Sequence, residues 1–141
     1  DRSSEQVTRH RDRLEYCSGM ELEARTAQLF EHFSTQEFDG VSDLFAPDAG
    51  VRQNSNPEHG IDGLLTMIQG LKRDGVSVEY SDIRRNVGDR FVVEQHIVRL
   101  TRPDGVSAST DACVVVHFDD AGLISGLHEY VDTAAFAALF A

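Results

Sequence analysis

The chain is short of positive charge. Thirteen Lys and Arg stand against twenty-four Asp and Glu, giving a formal net charge of −11. Nucleic-acid binding depends on clustered basic residues that neutralise phosphates, so the balance argues against that partner. The one basic cluster, "TRHRDR" at Thr8 to Arg13, is interleaved with acids soon after and reads as a solvated helix face. Long apolar runs are missing too: none approaches the roughly 18 residues a membrane span needs. The opening "DRSSEQVTRHRDR" lacks the apolar segment of a secretory leader, so no membrane partner is expected and the cytoplasm is the expected compartment.

Cysteine is scarce. Cys17 and Cys113 lie far apart, too few for a disulfide framework or a zinc knuckle. Cys113, in "ACVVV", reads as a small core residue. The six histidines fall at no metal-ligand spacing, so no metal is expected. "PDG" and "DDAG" are turns rather than phosphate loops, and no glycine-rich nucleotide motif occurs, so no cofactor is expected.

What is present fits one domain. At 141 residues the chain can bury roughly 68–70% of the surface its unfolded form exposes. Residues 1–19 are polar and read as an N-terminal extension, either a lead-in helix or a loose segment. Residues 20–141 read as the domain. In "MELEARTAQLFEHFSTQ", Leu22, Ala24, Ala27, Leu29, Phe30 and Phe33 recur at helical spacing. "FDGVSDLFAPDAG" predicts a short helix through Leu44 and Phe45, stopped at Pro47. "GVRQN" predicts a brief strand and "SNPEHG" a loop. "IDGLLTMIQGLKRDG" predicts a second amphipathic helix with Gly75 as its C-cap.

After Gly75 the pattern is strand-like to Asp132, with turns at Gly88, "RPDG" and "DDAG". A terminal helix, "TAAFAALFA", closes the chain. Its Phe136, Leu139 and Phe140 are expected to be core or dimer contacts. Helices first and long antiparallel strands afterwards predict an α+β fold, with helices on the concave face of a curved sheet. Long strands must coil, and such a sheet leaves a conical cavity.

The order of "LFEHFSTQEFDGVSDLFAPDAGVRQN", a helix, and long strands ending in "GLISGLHEYVD" resembles the nuclear transport factor 2-like superfamily, nearest its SnoaL-like branch. The resemblance covers Leu22 to Ala141 and implies a cone-shaped, strongly curved antiparallel sheet, the cystatin-like roll. It also implies pairing as a homodimer. The superfamily holds cyclases, isomerases, epoxide hydrolases and binding modules, so fold alone does not settle function. In the ketosteroid isomerase pattern a basic Asp falls where this chain has Gln53, which cannot take a proton. In the limonene epoxide hydrolase pattern, "RQNSNP" matches at Gln53 and Asn54, with Arg52 replacing a Tyr. "LHEYVD" places Glu129 at that family's catalytic Asp, Leu127 at its Trp and His128 at its Arg. The middle strand, "EQHIVRL", offers Gln95 with Ile97 or, one register away, Glu94 with His96.

Alternation along the last strand puts Leu127, Glu129 and Ser125 on one face, with His128 and Tyr130 on the other. Glu129 would then be an acid inside an apolar cavity, the setting of a general acid or base. Candidate catalytic residues are therefore Glu129, His96 and Asn54. Candidate substrate contacts are Arg52, Glu94, Gln95, Leu127 and Tyr130. The expected function is cofactor-independent chemistry on a small hydrophobic metabolite, either epoxide hydration or cyclase/isomerase acid–base catalysis. The alternative is a non-catalytic small-molecule-binding or dimerisation module of the same fold.

Overall fold

Helix α1, Arg2–Thr35, turns one apolar stripe to the interior: Leu22, Thr26, Leu29, Phe30 and Phe33 are all buried. The spacing of three and four residues between them is that of one helix face. Thr26 is tolerated there because its hydroxyl donates to the Leu22 carbonyl at 2.9 Å. The computed structural model describes the backbone of residues 2–141 and the side chains of residues 19–141. The exposure of Thr8–Arg13 and the environment of Cys17 therefore lie outside the described residues.

A 3-10 turn at Ser42–Leu44 leads into strand β1, Phe45–Gln53. The short helix expected through Phe45 thus ends one residue earlier, and Pro47 sits inside the strand rather than stopping a helix. β1 is an edge strand whose regular pairing is interrupted between Phe45 and Gly50, so the missing proline N–H breaks no ladder bond. Helix α2, Ile61–Arg73, follows, with Leu64 and Ile68 buried. It closes as expected at Gly75: the φ of +72° is one glycine adopts freely, and Val76 N–H reaches back to Leu71 O at 2.9 Å.

Four long strands complete the sheet: β2 (Ser77–Gly88), β3 (Phe91–Thr101), β4 (Ser107–Phe118) and β5 (Ile124–Val131). They pair antiparallel in sequence order, as the turn signals imply. β1 joins beside β5 in parallel, so the five-stranded sheet is mixed, open, and ordered β1-β5-β4-β3-β2. The last segment, Thr133–Leu139, is a 3-10 helix whose start is capped by Asp132 accepting from Ala134 N–H. α1 packs on β2 and β3, and α2 on β1. Among the described residues no helix is long and apolar enough to cross a membrane.

One irregularity has a large effect. Ser81 pairs with Ile97 and Arg84 with Gln95, so Asp82 and Ile83 stand opposite His96 alone. This is a β-bulge, with Asp82 at φ 55°. The extra residue inverts side-chain parity along β2. Tyr80 and Arg85, an odd number apart, consequently both serve the concave side.

Candidate active site

The concave side encloses a cavity of about 530 Å³. Its walls are mostly apolar: Phe30 and Phe33 from α1, Leu64 and Ile68 from α2, Val114 and Leu127 from the sheet. Arg52, Asn56, His59 and Met67, all exposed, border it where it opens to solvent. Glu129 is the only carboxylate among the described residues that lines it. β1 and β5 place Gln53 directly beside Glu129 in the parallel ladder, and Gln53 Nε2 donates to Glu129 Oε1 at 2.8 Å. Glu129 Oε2 has no hydrogen-bond partner among the described residues.

Tyr80 also lines the cavity, and sequence reasoning missed it. Burial, then the charges of Glu129 and Glu94, drive its hydroxyl well above the usual phenol range. The phenol is therefore held neutral and keeps its proton. The signal was present: Val76, Val78 and Tyr80 share one parity, and the first two are buried.

The middle strand faces inward with Glu94 and His96, which decides the register; Gln95 is exposed on the convex face opposite Cys113, away from the cavity. Glu94 and His96 are buried, but neither borders the cavity. Glu94 accepts from Arg85 Nε at 2.5 Å through one oxygen and meets His96 Nδ1 at 2.5 Å through the other. The rings of Phe30 and Tyr80, which do line the cavity, pack on His96 with centroids at 5.1 and 4.5 Å. His96 thus lies one layer behind the wall. Its Nε2 is buried without a partner among the described residues.

Asn54 is not at the cavity. It sits at φ 52°, and its side-chain amide exchanges two hydrogen bonds with the Val131 backbone: Nδ2 donates to O at 2.8 Å, and Oδ1 accepts from N at 2.9 Å. Its side chain is thus turned to the β5 backbone and is not part of the cavity lining. Tyr130 is half exposed on the convex face, stacked on His128 at 4.1 Å, and does not line the cavity. His128 donates from Nε2 to Asn54 O and accepts the Tyr130 hydroxyl at Nδ1. Ser125 leaves the concave face because the β4–β5 register shifts beside it. Leu127 lines the cavity, and Arg52 borders its mouth, its Nε donating to Asn56 O at 3.2 Å. Phe136 and Phe140 also line the cavity, whereas the sequence suggested core or dimer contacts only.

Fold and site define a small α+β domain enclosing an apolar cavity with one carboxylate. The model of the SnoaL-like domain family matches residues 26–127, more than two-thirds of the chain, and the chain belongs to that family. No curated protein matches the sequence. Among solved structures, a candidate polyketide cyclase from Xanthomonas campestris pv. campestris is similar at TM-score 0.75 and 15% identity, over 88% of this chain and 99% of that one. An LEH-like epoxide hydrolase from M. tuberculosis is similar at TM-score 0.71 and 18% identity, over 83% of this chain and 86% of that one. AclR, a candidate hydroxylase from Streptomyces galilaeus, is similar at TM-score 0.69 and 16% identity, over 86% and 96%. At these identities the likeness establishes the fold alone.

Proposed function

We propose that the protein is a cofactor-independent enzyme that moves a proton at carbon in a small hydrophobic carbonyl compound, as a cyclase or isomerase does. The observation that carries this reading is Glu129, hydrogen-bonded by Gln53 in a mostly apolar cavity that the neutral phenol Tyr80 also lines. In this scheme Glu129 Oε2 takes a proton from the carbon beside the substrate carbonyl. The C–H electron pair moves into the C–C bond and the carbonyl becomes an enolate oxygen. Tyr80 O–H donates a hydrogen bond to that oxygen in a water-poor setting, where such a donor is most effective. Glu129 then returns the proton, to another carbon for isomerisation or to the alkoxide formed when the enolate carbon attacks a second carbonyl.

Epoxide hydration is the less well supported chemistry. It needs an acid for the leaving oxygen and a base for water. One carboxylate borders the cavity, and Glu94 is engaged behind the wall by Arg85 and His96.

The test is deuterium incorporation at the carbon beside the carbonyl of hydrophobic ketones in D2O, followed by proton NMR. Wild-type protein should accelerate exchange, and Glu129→Gln should slow it about 100- to 10,000-fold with an unchanged thermal melt. Exchange no faster than buffer, with epoxides turned into diols instead, would move the assignment to hydration. Ligand binding with neither reaction would make the domain a binding module.

A further inference from the structure

The apolar wall of the cavity does not stop at its mouth. On α2, Leu64, Met67, Ile68 and Leu71 fall on one helix face and all line the cavity. Leu64 and Ile68 are buried, whereas Met67 is 49% exposed. At the end of the terminal 3-10 helix, Phe136 is buried in the wall, and Phe140, also a lining residue, is 57% exposed. Of the large apolar side chains left in water, Met67 and Phe140 are the two among the described residues that line the cavity. The other exposed ones, such as Ile83, Val106 and Tyr130, do not. Two large apolar groups held in water at the mouth of an apolar cavity form a surface that a ligand can cover.

We propose that Met67 and Phe140 are specificity-determining residues for an elongated apolar substrate, whose tail extends past the enclosed cavity and covers both side chains. This rests on the reading of the cavity as the substrate site, and names its substrate class more narrowly: a carbonyl compound with an extended hydrocarbon chain rather than a compact one. Glu129 and Tyr80 meet the polar head within the cavity, and the tail crosses the rim. Chain length then sets affinity well beyond what the enclosed volume takes up.

The probe is a series of 2-alkanones from six to fourteen carbons, read by displacement of the neutral dye 1-aminoanthracene. In wild-type protein each added methylene should tighten binding about fourfold while it still finds apolar cover. In Met67→Ser and Phe140→Ser the gain per methylene should stop several carbons earlier than in wild type. Each variant's thermal melt checks that the fold is kept, and having two independent variants keeps the test usable if one of them does not fold. Equal increments along the whole series in wild type and both variants would overturn the role of the rim. A wild-type series that levels off at the same length as the variants would overturn it too. If no ketone of any length displaces the dye, the substrate-cavity reading falls and takes this inference with it.

Discussion

Gln53 and Glu129 lie side by side in the parallel β1–β5 ladder, and the amide of one donates to the carboxylate of the other at 2.8 Å. The bond fixes one carboxylate oxygen and leaves the other free. Gln53→Leu removes the donor at similar size. Glu129 then keeps its place in the strand but loses its fixed orientation. The expected result is a fall in kcat of about 10- to 100-fold, smaller than the loss on removing the acid–base group itself. KM should change little, because the apolar walls that bind substrate are intact. Steady-state kinetics on any accepted ketone separates the two effects, and a rise in KM alone would mean Gln53 binds substrate instead.

Tyr80 gives a pH signature. Its folded-state hydroxyl ionises well above the ordinary value, through burial first and the charges of Glu129 and Glu94 next. In the unfolded chain it ionises near pH 10. Below that pH the phenol is neutral in both states, and its contribution to stability is fully present. Above it the unfolded state loses the proton while the folded state retains it, so stability falls as pH rises. Tyr80→Phe removes this term. Between pH 9 and 11.5 the wild-type melting temperature should drop more steeply than that of the variant. Parallel curves would show that Tyr80 titrates normally.

Arg85, Glu94 and His96 form a row behind the cavity wall. Glu94 has no exposed side-chain surface, and Arg85 is its cationic partner. Arg85→Met leaves a buried carboxylate unpaired, which should cost about 3–5 kcal/mol in urea unfolding. Arg85→Met combined with Glu94→Gln removes both charges, keeps an acceptor for His96, and should recover most of that loss. A double variant as unstable as the single one would mean that Arg85 matters for packing rather than charge.

The parts of this molecule that were legible in the sequence follow local rules. The spacing of Leu22, Leu29, Phe30 and Phe33 announces a helix face, Gly75 marks a helix end, and alternation through Leu127 and Glu129 points both at the cavity. The parts that were not depend on partners distant in sequence or on breaks in a period. Residues 91–100 carry apolar side chains on both parities, so the strand alone cannot say whether Glu94 and His96 or Gln95 and Ile97 face inward. Arg85 is hidden because the bulge at Asp82 reverses parity between it and Tyr80. Pro47 reads as a helix stop because nothing local reveals an edge strand with interrupted pairing. Asn54 looks like a site residue because its partner, Val131, is 77 positions away.

That partnership makes the last prediction. The Asn54 amide supplies Val131 with both an acceptor and a donor, in effect one more rung of the β1–β5 ladder. Asn54 N–H also donates to the Glu129 carbonyl at 2.8 Å, so the clamp secures the end of the strand that carries the cavity's carboxylate. Asn54→Ala loses both side-chain bonds, about 1–3 kcal/mol together, and forces alanine into a left-handed backbone, which costs about 1 kcal/mol more. Asn54→Gly loses the same bonds but accepts that backbone readily, so it should be the more stable of the two variants by about that last amount, less the extra chain entropy glycine brings. In both, the Val131 amide loses its acceptor and should exchange with deuterium faster than in wild type, while amides in the middle of β3 and β4 keep their protection. Unchanged exchange at Val131 would mean that the ladder holds the strand end without the clamp.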